Sequence, residues 1–248
     1  MTGYQHFAQY YDILTGNISY PRRASYFDSL IRQFGGKKGI LLDLGCGTGS
    51  LSEEMARLDY DVIGIDNSCE MLNVALDKKY ESGLPIQYLQ QDMTELDMFG
   101  TIDVTLCALD SLNHLQGWDA VKKTFARISL FSEPGGLFIF DVNTPYKHRA
   151  VLGNNTFVYD MEEVYCVWQN RYEEKDCRVT IDLDFFECQG DVYRRYEDSF
   201  AETAYEAEKL DQALADAGFE ILQHYELDTV DLPGEESEKI VFIARKVR

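Results

Sequence analysis

Three glycines at alternate positions, Gly45, Gly47 and Gly49, follow directly on the apolar run Ile40-Leu41-Leu42-Asp43-Leu44. Glycine in such a bend adopts backbone conformations other residues avoid, and it lets a ligand lie against bare main chain. Flexible turns use glycine freely, so the loop alone decides little. Its spacing says more: Ser50 stands where a dinucleotide fingerprint places its third glycine, which disfavours a pyrophosphate ligand. Asp66 ends a second apolar run, 21 residues after Gly45. A carboxylate there accepts hydrogen bonds from both hydroxyls of a ribose. Asp92-Met93 occupies the same place after a third run, Pro85 to Leu89. Asp43, just before the loop, favours a cationic ligand by its charge. It acts either through the loop amides or a water, or only as a buried acid tying down the turn.

A fourth apolar run, Ile102 to Leu109, leads into Asp110-Ser111-Leu112-Asn113-His114. Loops at the carboxyl ends of parallel strands form the binding crevice of such sheets. His114 is therefore the candidate to face a second substrate, since an imidazole takes up a proton near neutral pH. A histidine starting a helix without chemistry is the competing reading.

The elements that must hold these residues alternate. Each of the first two runs is followed by helical spacing: Leu51, Met55 and Leu58, then Met71, Leu72 and Ala75 behind an N-cap at Ser68. Val121, Phe125 and Ile128 follow the fourth run, and Leu137 to Val142 forms a fifth. Strands alternating with helices predict a parallel sheet covered on both faces. From Thr156 to Phe200 the pattern changes to period-two alternation rich in Tyr, Val, Phe and Thr, broken at Glu173–Asp176 and Gln189–Asp191. That predicts an antiparallel meander of about three strands. Its aromatics either line an acceptor pocket, pack on the main domain or form a dimer interface. A helix over Tyr205 to Ala217, stopped by Gly218, and strands at Phe219–Leu227 and Lys239–Arg245 close the chain.

Taken together, the run Asp43–Gly49, Asp66 and Asp92-Met93, in register with their strands, resemble the nucleoside-binding motifs of class I S-adenosylmethionine-dependent methyltransferases. The resemblance spans nearly the whole chain. It implies a Rossmann-like α/β fold, with a seven-stranded, mostly parallel sheet of order 3-2-1-4-5-7-6 and helices on both faces. Residues 1–248 form one methyltransferase domain, with a helical lid at 1–36 and the antiparallel β cap at 150–200. S-adenosylmethionine is the implied cofactor. Gly45, Cys46, Gly47, Asp66, Asn67, Met71, Asp92, Met93 and Leu109 are the implied binding residues.

The N-terminal segment Phe7-Ala8-Gln9-Tyr10-Tyr11-Asp12, leading to Tyr20-Pro21-Arg22-Arg23, is similar to the lid of small-molecule N-methyltransferases acting on amino sugars and on glycine. There Tyr11, Tyr20 and Arg22, or Arg23 beside it, would close over the methionine end of the cofactor. In the amino-sugar enzymes a Ser-x-x-His-Leu run stands at Ser111–Leu115, which puts His114 near the acceptor. In-line approach of nucleophile, methyl and sulfur supplies much of the rate of such a transfer, so a base is not obligatory. Asn143-Thr144-Pro145-Tyr146 looks like the Asn-Pro-Pro-Tyr box of nucleic-acid amino-methyltransferases. It departs at its second residue and follows the fifth strand, where that box does not belong, so it reads as a turn.

The net charge of −20 opposes phosphate binding, which sets nucleic acid aside. No apolar stretch has the roughly 18 residues of a membrane helix. The opening Met1-Thr2-Gly3-Tyr4-Gln5-His6 carries neither a basic nor an apolar region, so no secretory leader is expected. Six cysteines without a C-x-x-C pair read as reduced core residues of a cytoplasmic protein, and no metal ligand set is expected from them. The expected activity is methyl transfer to a small-molecule acceptor, an amine by the resemblance, with the oligomeric state left open. A nicotinamide-dependent oxidoreductase and a non-catalytic nucleoside-binding protein are the alternatives.

Overall fold

In the computed structural model, residues 6–247 are described; Met1–Gln5, read above for a leader and as part of the lid, and Arg248 lie outside them. Five short apolar strands pair in parallel: β1 (Ile40–Leu44), β2 (Asp61–Asp66), β3 (Gln87–Gln90), β4 (Ile102–Cys107) and β5 (Ser132–Asn143). Strands β10 (Phe219–Glu226) and β11 (Lys239–Lys246) extend the sheet, β11 running antiparallel to β5 and β10 antiparallel to β11. The order β3-β2-β1-β4-β5-β11-β10 is the one expected.

Successive side chains of a strand point to opposite faces, so a strand buried on both sides is apolar throughout. Leu42 and Leu44 of β1 pack on one face with Val121, Phe125 and Ile128 of α5 (Trp118–Phe131) and Leu210 and Leu214 of α6 (Ala207–Asp216). Leu41 packs on the other with Phe27, Leu30 and Ile31 of α2 (Tyr20–Gln33) and Leu51 and Met55 of α3 (Ser50–Arg57). Fully burying each such side chain stabilises the fold by about 1.5–3 kcal/mol. Phe140 and Phe242, opposite one another on β5 and β11, stack with ring centroids 4.7 Å apart.

The cap has four strands where about three were expected: β6 (Thr156–Asp160), β7 (Val164–Glu173), β8 (Arg178–Gln189) and β9 (Val192–Thr203). The first reversal, at residues 161–163, contains no Gly, Pro, Asn or Asp, so it left no turn signature in the sequence. The cap buries Val164, Cys166, Ile181 and Phe185 against Phe7, Tyr10 and Leu14 of α1 (Phe7–Leu14) and Met71 of α4 (Cys69–Ser82). Trp168 and Phe200 join that packing, while Tyr165 and Tyr193 are exposed. Cys46, Cys107 and Cys166 are buried thiols as expected, but Cys69 and Cys188 are exposed, because each begins or ends its element at the surface. No helix among the described residues is long and apolar enough to cross a membrane.

Candidate active site

The bend after β1 is fixed by main-chain bonds and one acid. Gly45 and Cys46 both donate their amides to the Ile65 carbonyl, at 2.7 and 2.9 Å. Asp66, at the end of β2, accepts from the Gly47 amide through Oδ2 and from the Ser68 amide through Oδ1, each at 2.8 Å. Gly45 and Gly47 have φ of 79° and 52°, a region that costs other residues roughly 1–2 kcal/mol. A Cβ on Gly45 would lie 2.7 Å from the Ser111 side chain, whereas one on Gly47 would meet nothing within 4 Å. Gly45 is thus needed for close approach, and Gly47 leaves an open face above the loop. Burial raises the Asp66 carboxyl above its ordinary value, and the Ser68 and Gly47 amides oppose that rise. Of the two readings open for Asp43, the structure shows the buried acid: it accepts from the Ser52 hydroxyl, which α3 points back at β1. Burial lifts its carboxyl to about 6, against the lowering effect of the Ser52 bond.

Tyr11, Tyr20, Gly45, Cys46, Gly47 and Leu109 line one small cavity, with Asp43 and Ser111 in its wall. Helix α1 is tied to this loop: its Asp12 accepts from Thr48 at 2.8 Å and Ser50 at 3.1 Å, and pairs with Lys78 of α4. Arg22 is exposed and outside the cavity wall. One residue along a helix is a rotation of about 100°, which turns its neighbour inward instead. Arg23 is buried, paired with Asp228 at 2.9 Å, and its Nη1 has no hydrogen-bond partner. Asn67 is exposed and its carbonyl accepts from Gln90. Met71 packs under α1 and the cap. Asp92 caps a 3₁₀ turn by accepting from the Thr94 amide at 2.8 Å, and Met93 Cε lies 3.5 Å from the Cβ position of Gly45.

Beyond β4 the chain passes through two successive left-handed residues, Leu109 (φ 57°) and Asp110 (φ 54°). Such strain persists only where neighbours over-determine it. Here Asp141, fully buried on β5, accepts the Leu109 amide at 2.8 Å and the Asp110 amide at 3.1 Å. Lys239 of β11 pairs with Asp110 and lies 3.7 Å from Asp141. Burial would raise Asp110, but the Lys239 and Lys147 ammoniums outweigh it and hold the carboxyl well below its usual range. Burial and nearby Lys239 push Lys147 down. The Ser111 hydroxyl donates to the Ala108 carbonyl at 2.8 Å and lies 3.3 Å from the Gly45 carbonyl, so this turn packs against the glycine loop. His114, on the same 3₁₀ turn, has Nε2 3.7 Å from Oε1 of Glu202, which is buried on cap strand β9. Asn143 donates to both Asp110 (2.8 Å) and Glu202 (2.9 Å).

The structure thus gathers Tyr11, Tyr20, Gly45, Cys46, Gly47 and Leu109 around one cavity, and leaves Arg22 outside it. Asp141, His148, Glu202 and Lys239 escaped the sequence reading, which took Asn143 only as the start of a turn. Asp141 alone left a signal there, as an acid inside the run Leu137–Val142.

A family model described as a methyltransferase domain matches residues 41–136, the block from β1 to the start of β5. The methyltransferase-family protein YqeM of Bacillus subtilis (strain 168) is 33% identical over 98% of this chain and 97% of its own length. The crystal structure of an S-adenosylmethionine-dependent methyltransferase from Clostridium acetobutylicum ATCC 824 is 30% identical, with a TM-score of 0.89 over 99% of each chain. The chain belongs to the S-adenosylmethionine-dependent methyltransferases. The fold of this methyltransferase is also that of CalS10, an amino pentose methyltransferase from Micromonospora echinaspora solved with S-adenosylmethionine bound. There the TM-score is 0.76 at 22% identity, over 96% of each chain. The loop of this methyltransferase suits that cofactor: it has an open face at Gly47 and is held by a carboxylate at Asp66.

Proposed function

We propose that this methyltransferase moves the sulfonium methyl group of S-adenosylmethionine to an amine of a small-molecule acceptor. What supports this reading is the close packing of Ser111, on the turn bearing His114, against Gly45 of the glycine loop, which sets that turn beside the donor's methionine end. When bound, S-adenosylmethionine supplies the electrophilic methyl. Gly45 and Gly47 offer bare main chain to its methionine part, and Asp66 has lone pairs left for the ribose hydroxyls. Asp92 and Met93 flank the base, with Asn67 beside Asp66 on the same rim. Tyr11, Tyr20 and Arg23 cover the carboxylate end, Arg23 taking the part read for Arg22.

An amine reaches the site as an ammonium at neutral pH and must shed a proton before it attacks. The carboxylates of Asp110 and Glu202 favour the cation, and the His114 imidazole accepts the proton. The free thiols suit a reducing compartment, and the acidic surface suits a cationic metabolite better than a nucleic acid. The comparisons favour neither the nicotinamide reading nor the non-catalytic one.

The test is transfer of labelled methyl from S-adenosylmethionine to panels of amines, hydroxyl compounds and carboxylates, alongside thermal shifts with S-adenosylhomocysteine and NADH. Labelled amine and a shift with the nucleoside thioether alone are expected. Label confined to oxygen acceptors, or none in any panel, overturns the amine assignment.

A further inference from the structure

Helix α1 has eight residues, and His6, which precedes it, makes no side-chain hydrogen bond to its amino end. Isolated helices shorter than about 12–15 residues are marginal in water, so contacts from elsewhere must hold this one. The missing end group comes from the β cap, 191 positions later in the chain. Asp198 of β9, its side chain 1% exposed, accepts the His6 amide at 3.0 Å and the Phe7 amide at 2.8 Å, both through Oδ2. A carboxylate there satisfies orphan amides and meets the positive end of the helix dipole. Nearby, Tyr10 donates its hydroxyl to Glu187 of β8 at 2.9 Å, and the Phe7 ring lies 5.6 Å from that of Phe200 on β9. The first turn of α1 is thus fixed to the β cap. Further along, Asp12 fixes it to the glycine loop through Thr48 and Ser50. Tyr11, between the two attachments, stands in the cavity wall with Gly45 and Gly47.

We infer that Asp198 is a positioning residue for the methyl donor, acting through α1 on Tyr11 and Asp12. Asp198 is outside the cavity wall, so its effect travels along the helix. Phe7 and Tyr11 are four residues apart, about 6 Å along the axis, little more than one turn. Without the carboxylate, two amides lose their partner in a buried setting, and the first turn unwinds to reach water. Tyr11 then leaves the wall and Asp12 loses its hold on Thr48. A single oxygen takes both amides, so an asparagine carbonyl in its place keeps both bonds. The inference rests on the donor reading above, in which α1 covers the methionine end of the nucleoside, and it is measured without any acceptor.

The experiment measures S-adenosylhomocysteine binding by calorimetry in wild type, Asp198→Ala, Asp198→Asn, Asp12→Ala and the Asp12→Ala/Asp198→Ala pair. Ser199→Ala is the control, since Ser199 is exposed on the outer face of β9 and bonds only Asp182 there. Circular dichroism certifies that each variant is folded. Asp198→Ala is expected to bind about fivefold more weakly, with Asp198→Asn and Ser199→Ala within about twofold of wild type. The pair is expected to bind no more weakly than the weaker single variant, because either change frees the same helix. Hydrogen exchange in wild type, which needs no variant, is expected to slow across Phe7–Leu14 when the ligand is added. Equal binding by Asp198→Ala, an Asp198→Asn as weak as Asp198→Ala, multiplied losses in the pair, or unchanged exchange in α1 each overturns the inference. Wild type that binds no S-adenosylhomocysteine removes the donor reading itself, and this inference with it.

Discussion

Thr48 of the glycine loop donates its hydroxyl to the Asp12 carboxylate of α1 across 2.8 Å. Asp12 also accepts from Ser50, and Lys78 donates to the Ser50 hydroxyl at 2.7 Å. Loop, α1 and α4 thereby meet at one partly exposed acid. Charge-assisted bonds of this kind contribute about 1 kcal/mol after solvent screening. Asp12→Ala is expected to speed dissociation of S-adenosylhomocysteine about fivefold, read by stopped-flow fluorescence, with little change in thermal stability. An unaltered off-rate would mean that α1 does not cover the ligand.

Asp66 fixes the Gly47 amide, and in the proposed function its remaining lone pairs meet the ribose. Asp66→Ala removes both, and a lost hydrogen bond to a charged group costs about 1.5–3 kcal/mol. Calorimetry with S-adenosylhomocysteine is expected to show at least tenfold weaker binding. Equal affinity would detach this acid from the ligand altogether.

Asp43 gives a stability signature with a definite sign. Its carboxyl ordinarily titrates at 3.8 and is lifted to about 6 by burial. Between about pH 4 and pH 6 the folded chain holds a proton that the unfolded chain has lost, so this group erodes stability as pH rises. Asp43→Asn has no proton to lose. The difference between variant and wild type should move in the variant's favour by up to about 3 kcal/mol from pH 4 to pH 7. Urea titrations across that range check it, and a flat difference contradicts it.

Lys239 lies between Asp110 and Asp141 beneath the strained turn. Lys239→Met leaves two buried carboxylates without their cation, which costs about 3–5 kcal/mol. In a chain of this length, that lowers Tm by roughly 6–20 °C. A smaller drop in differential scanning calorimetry would show that water or a neighbouring lysine takes the place of the lost ammonium.

The alternation of apolar runs with 3.6-period stripes disclosed the parallel strands with their helices, the glycine bend and Asp66, because those signals are local, whereas the sheet order came from the family resemblance. Residues that act across long separations stayed hidden. Glu202 sits in the cap's period-two pattern like any other polar residue, and nothing near it in the chain mentions His114, 88 positions earlier. The choice between Arg22 and Arg23 was open for a different reason: adjacent identical side chains differ only in helical phase, which the sequence alone does not set. The extra cap strand was missed where its reversal lacks a turn residue. Asp141 was legible in principle, since an acid inside an apolar strand must have partners.

Glu202 belongs to β9, outside the 41–136 block that contains the glycine loop and Asp66. In the function proposed above, the glycine loop with Asp66 and the acceptor-side Glu202 thus lie on separate stretches of chain, so Glu202 can be exchanged without touching the loop.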